Sequence, residues 1–220
     1  MYAYINSAGR SIWIKKLLPI AIDCRPNASP LHNTYLVIFV NSFYWTGALD
    51  PIAPSDVLAG TLKESLPIVA ISGSQKARSE GIIYPVLLEV RRILDRQISL
   101  FSGEDFTVEE AIGLNGVCDF ILTRSTEVLE IEAPTVVIVE AKKTDLKTGI
   151  GQCIAEMVAA QRFNQIKDKS IPTIYGSVSN GIQWQFLKLE GQTIAIDLSV
   201  YPLPPVDQIL SFFVWMMQSE

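Results

Sequence analysis

Histidine is almost absent from this chain: His32 is the only one in 220 residues. Chemistry that needs several imidazoles, such as a His-rich metal site, is excluded. His32 itself sits in a polar stretch (NASPLHNT) that gives a Ser-His-Asp arrangement little support. Cysteine is scarce too. Cys24, Cys118 and Cys153 are odd in number and widely separated, which argues against a disulfide framework and for a reducing compartment. No CxxC or clustered Cys/His spacing offers a zinc site. Long apolar runs are also missing. The longest, Tyr35 to Trp45, covers roughly eleven residues and is interrupted by Asn41 and Ser42, whereas a membrane span needs about 20. The short apolar piece near the N-terminus holds Lys15 and Lys16 inside it, a poor signal peptide. These absences lead to the expectation of a cytoplasmic protein with no membrane partner. Positive charge is the last shortage: 18 basic residues face 23 acidic ones, a net charge of -5. A domain that holds nucleic acid by bulk charge is normally basic, so the count alone argues against such a partner.

Apolar residues are plentiful, at 49%. One ordinary domain of this length can bury a sizeable core, which excludes wholesale disorder. The charge is also unevenly placed. Residues 101–140 hold one basic and nine acidic side chains, while residues 61–100 hold six and four and residues 141–180 hold six and three. The acidic excess is thus one central block between two mildly basic ones.

Residues 1–60 are rich in aromatics and turn formers and give no long periodic signal, so they read as an N-terminal extension of uncertain structure. Residues 61–220 read as the main domain. Ser74 is a helix N-cap candidate. The segment after it spaces Ile82, Ile83, Val86, Leu87, Val90, Ile93 and Leu94 as a helical stripe, which Pro85 should kink or start late. ISLFSGEDFTVE reads as a strand and turn and VCDFILT as a strand, preceded by an Asn115–Gly116 turn. TVVIVEAK is a continuous apolar run, as a buried central strand should be. KTDLKTGIGQCIAEMVAAQRFNQI reads as a helix and IPTIYGSVS as a strand. IQWQFLKLEG and QTIAIDLSVY form a hairpin around Glu190–Gly191, and residues 206–217 close the chain as an amphipathic helix. The class is α/β, with a mixed central sheet flanked by helices.

The chemistry concentrates where TVVIV ends in Glu140, Ala141 and Lys142. Side chains alternate along a strand, so Glu140 and Lys142 share a face at the end of a core strand. In the preceding strand Asp119 interrupts an apolar run. If the two strands pair through the loop near residues 124–134, Asp119 and Glu140 converge. Two close carboxylates repel unless a cation lies between them, and all-oxygen ligation suits Mg²⁺ or Mn²⁺. The plainer alternative is a strand that ends in charge as it leaves the core, with Asp119 and Glu140 paired to Lys142 and Arg124.

The spacing GLNGVCDF … TVVIVEAKK … GIGQCIAEM, with the order helix, three strands, helix, strand, resembles the PD-(D/E)XK nuclease superfamily over roughly residues 74–190. The resemblance implies a restriction-endonuclease-like α-β-β-β-α-β core. It implies Asp119, 21 residues before Glu140, and Glu140 as metal ligands. A backbone carbonyl beside Glu140, that of Ala141, would be a third ligand, and Lys142 would position the attacking water. Gln152 matches a glutamine that recurs early in the following helix. Glu80 matches the helix carboxylate of the family, with Glu89 as the other candidate, and periodicity does not choose between them. Cys118 stands where the family name has Pro. The implied activity is Mg²⁺- or Mn²⁺-dependent hydrolysis of a nucleic-acid phosphodiester, with DNA the expected polymer, and a homodimer is left open. The alternative is a non-catalytic nucleic-acid- or protein-binding module on the same fold. Net acidity then predicts weak, salt-sensitive association rather than no association.

Other conspicuous residues read as structure. Trp184 and Phe186 alternate with Gln183 and Gln185 as the packed face of a strand. Cys118 and Cys153 read as small core residues. Lys143 and Lys147 read as solvated, and Glu104, Asp105, Glu109 and Glu110 as an exposed polar loop. Met216 and Met217 are either core or a dimer face.

Overall fold

The computed structural model describes residues 2–5, 11–19, 34–40, 49–72 and 74–219. His32 and Cys24 lie outside them. The protein is a mixed α/β fold. Among the described residues the strands are β1 (Tyr2–Ile5), β2 (Ser11–Pro19), β3 (Thr34–Val40), β4 (Ser99–Asp105), β5 (Val117–Thr123), β6 (Thr135–Ala141), β7 (Thr173–Ser179), β8 (Gln183–Glu190), β9 (Thr193–Asp197) and β10 (Tyr201–Pro202). They form one sheet in the order β1-β2-β3-β9-β8-β7-β6-β5-β4, and β10 pairs with β8. The pairs β6/β7 and β3/β9 are parallel; the other neighbours are antiparallel. The strands β1–β3 extend the sheet beyond β9, although residues 1–60 carry no long periodic signal. No helix among the described residues is long and apolar enough to cross a membrane.

The helices are α1 (Asp56–Ser72), α2 (Gln75–Arg78), α3 (Tyr84–Ile93), α4 (Lys147–Ile166) and α5 (Asp207–Gln218). Ser74 caps α2 as predicted, accepting the Ala77 N–H at 3.0 Å. The long helix expected after it is helical throughout but not regular. A π-helical turn, Ser79–Ile83, separates α2 from α3, and Pro85 stands in the first turn of α3. The sequence reading did not identify α1. Its first turn is held by Ser55, whose hydroxyl accepts the Leu58 N–H at 3.2 Å. Glu89 on α3 takes the Ser55 N–H at 2.9 Å and its hydroxyl at 3.0 Å.

Two apolar clusters sandwich the sheet. On one side Val137 and Val139 of β6 pack with Ile83 and Val86 and with Phe212 and Phe213 of α5. On the other, Ile138 packs with Cys153 and Met157 of α4. Every residue of β6 is buried, because both faces of this strand are covered. That is the physical content of its unbroken apolar run. Trp184 and Phe186 are fully buried and pack on Phe212 and Phe213 with ring centroids 5.1–5.6 Å apart. Met216 and Met217 are core. The apolar face of α5 is therefore buried in this core. Cys118 and Cys153 are buried free thiols. Glu104 and Asp105 are exposed as expected but belong to β4 rather than to a loop.

Helix α4 is tied to β6 at the far end from Glu140. Asn164, buried, accepts the Thr135 N–H and donates to the Thr135 carbonyl, both at 2.8 Å. This two-point clamp sets the height of α4 along the strand, and hence what its first turns can reach at the other end.

Candidate active site

The ladder between β5 and β6 has Phe120–Val139 as its last regular pair. One step on, Asp119 and Glu140 stand across from each other. There Asp119 Oδ2 accepts the Ala141 N–H at 2.8 Å, so the carboxylate takes a backbone donor at the strand end. The convergence anticipated from the two strands is present. Glu140, 1% exposed, forms an ion pair through Oε1 with Lys142 Nζ. Its other oxygen, Oε2, is buried without a hydrogen-bond partner. Lys142 Nζ also donates to Gln152 Oε1 at 3.0 Å. Gln152 Nε2 donates in turn to Glu156 Oε1 at 3.1 Å. Asp119, Glu140, Lys142, Gln152 and Glu156 therefore form one contiguous group across β5, β6 and α4.

Local backbone makes this possible. Gly149, in the first turn of α4, passes directly against the Lys142 stem. A Cβ there would lie 2.9 Å from Lys142 Cγ and Cε and 2.7 Å from Val178 Cγ1. The Lys142 N–H is fixed separately by the Ser179 carbonyl of β7 at 2.8 Å.

The electrostatics are those of an acidic site short of cations. Burial raises the Glu140 carboxyl to about 7; the hydrogen bond from Lys142 opposes the rise, and Asp119 adds to it. Burial also pushes Glu156 up to about 9, helped by the charge of Glu140 and opposed by the bond from Gln152. The Cys118 and Cys153 thiols are raised as well, by burial and then by Glu156 and Glu140. Carboxylates this close either keep protons or accept a cation. The unpartnered Glu140 Oε2 and the single nearby ammonium fit a small hard cation. No group of three His, Cys, Asp or Glu residues is assembled as a ligand set among the described residues. A two-carboxylate site suits Mg²⁺, which keeps several waters and takes substrate phosphate oxygens.

Glu80 and Glu89 are not part of this group. Glu80 is exposed, and its ion-pair partner is Lys76 at 3.7 Å. Glu89 is buried at the start of α1, where it also pairs with Arg92 at 3.4 Å. Arg124 is not there either. It donates to the carbonyls of Met217 at 2.8 Å and Met216 at 3.3 Å, where a cation suits a helix C-terminus. Lys143 and Lys147 are exposed. The residue that sequence reasoning missed is Glu156. The available signal was its position, four after Gln152 on the same helical face.

A cleft of about 150 Å³ opens beside the group, between α4 and the segment leading into β5; Phe106, Leu114, Cys118, Gln152 and Glu156 line it. Comparison with protein-family models, with curated proteins and with solved structures gives no match.

Proposed function

We propose that this chain is a metal-dependent nuclease whose α3-β4-β5-β6-α4-β7 segment is a restriction-endonuclease-like core. The observation that carries the reading is the contact of Glu140 with Lys142 beside Asp119, with Gln152 on the far side of the lysine. An acid pair, an ammonium and a polar positioning group meet at the end of two core strands. Fold order alone would not suffice.

Asp119 and Glu140 would hold one Mg²⁺ or Mn²⁺, with the Ala141 carbonyl as a third protein ligand. The bound ion would supply charge neutralisation on the phosphate and a lower pKa for its water. Lys142 Nζ has two acceptors within the protein, Glu140 and Gln152, which leaves one of its three N–H donors for the attacking water or a phosphate oxygen. Asp119, by holding the Ala141 N–H, keeps the strand end in register. The substrate is a nucleic acid, with DNA the favoured polymer, and the product bond broken is a phosphodiester. Exposed Glu80 has no part in this scheme.

The test is cleavage of single- and double-stranded DNA and RNA with Mg²⁺ or Mn²⁺. Asp119→Ala, Glu140→Ala and Lys142→Ala should each lose on the order of a hundredfold or more while circular dichroism shows a folded protein. Full activity in any of the three sinks the assignment. A calorimetric Mn²⁺ titration separates the non-catalytic alternative, which predicts no binding dependent on Asp119 and Glu140.

A further inference from the structure

Gln152 touches Lys142 through oxygen and Glu156 through nitrogen. The direction matters. An ammonium has donors only, so a reversed amide would set its NH₂ against Nζ, donor against donor. Nothing in a glutamine side chain prevents that reversal; its orientation is set by the surrounding hydrogen-bond network. Glu156 supplies the constraint. It sits one turn along α4 from Gln152, and Oε1 accepts the Gln152 Nε2 hydrogen at 3.1 Å. Its position is fixed in turn, because the buried Asn164 clamps α4 to β6. On the other flank of the lysine, Gly149 lets the helix close on the Lys142 stem.

We propose that Glu156 is a positioning residue: it locks the Gln152 amide with its oxygen toward Lys142 and so holds the ammonium at the Asp119–Glu140 pair. This rests on the nuclease reading for its kinetic consequence, but the lock itself does not. Glu156 acts through Gln152 and touches neither substrate nor cation. Its chemistry asks only for a hydrogen-bond acceptor at that point, which a glutamine also supplies through its carbonyl oxygen. An alanine or a leucine supplies none.

The experiment pairs steady-state kinetics with nuclear magnetic resonance of the Gln152 side-chain amide, assigned by its loss in Gln152→Ala. Wild type, Glu156→Ala and Glu156→Gln are compared in full-length protein with Mg²⁺. Glu156→Ala should lower kcat roughly 10- to 100-fold, the range typical for a supporting hydrogen bond behind an active-site group. KM for the nucleic acid should be unchanged, and the Gln152 amide protons should lose protection from solvent exchange. Glu156→Gln should restore both. Should the alanine variant not fold, Glu156→Leu keeps the volume without the acceptor and is expected to behave as described for alanine. A merely structural role would lower Tm but leave kcat per folded molecule and the Gln152 signal as in wild type, and that result overturns the proposal. If wild type cleaves no nucleic acid, yet protection disappears in Glu156→Ala and returns in Glu156→Gln, the nuclease reading fails and the positioning role stands.

Discussion

Glu140 and Glu156 tie the stability of the protein to pH. An unfolded glutamate loses its proton near 4.5, whereas folded Glu156 keeps its proton up to about 9 and Glu140 up to about 7. Between those limits the folded state binds more protons than the unfolded state, so stability falls as pH rises. One such group contributes a slope of up to about 1.4 kcal/mol per pH unit. Glu156→Gln removes one ionisation while keeping the shape. Thermal unfolding in chelator at pH 5 and pH 8.5 should show a smaller loss for Glu156→Gln than for wild type. Equal losses would contradict the burial of this carboxyl. The same direction means that any cation bound beside these carboxyls would favour their ionised forms.

At the scale of elements, the contact between α4 and the end of β6 sets the geometry of the group. Two glycines permit it. Gly149 faces the Lys142 stem, and Gly176 of β7 faces Met157 and Cys153, where a Cβ would lie 2.4 Å from Met157 Sδ. Gly149→Ala must shift the lysine or the helix, because Val178 closes the remaining side. The expected cost is about 1–3 kcal/mol of overpacking strain, with a drop in cleavage larger than the loss of folded protein explains. Denaturant unfolding and specific activity measured on the same samples check this; wild-type activity in a destabilised Gly149→Ala would separate the contact from function. The strand–helix boundaries near the site were legible, because apolar runs and turn residues mark them. The break between α2 and α3 was only half legible. Pro85 signalled an interruption, but a π-helical turn looks like any other helical turn in a periodicity. Helix α1 was missed: it carries Pro67 in its interior and leaves Val57, Ile68 and Ile71 exposed, so its apolar residues do not mark a single buried face.

At the scale of the molecule, the central strands of the sheet are covered on both faces, and the last helix completes the core. Phe186 is fully buried among Phe212, Phe213 and Tyr201. Phe186→Ala should therefore cost about 3–5 kcal/mol, a fall in Tm on the order of 10 °C for a chain of this size. Calorimetry measures it, and a change near zero would mean that α5 is not integral to the core. The acidic net charge looks different on this scale. The nine acids of residues 101–140 do not act as one repulsive surface. Asp119 and Glu140 turn inward to the site, Glu109 pairs with Arg162 at 3.0 Å, and the others lie on β4 and the neighbouring loops.

What the sequence by itself determined is local. The apolar run of β6, its Glu-Ala-Lys ending, the acid in β5 and the glutamine near the start of α4 are matters of periodicity and spacing, and each lies in the element expected. The tertiary structure decided which of them touch. It separated Glu80 and Glu89 from the group: Glu80 is exposed beside Lys76, and Glu89 is taken up by Ser55 at the start of α1. It assigned Arg124 to the end of α5. It added Glu156, whose place depends on the height at which Asn164 fixes α4 against β6. Spacing along a chain limits which residues share a face; only packing between elements selects partners across the sheet.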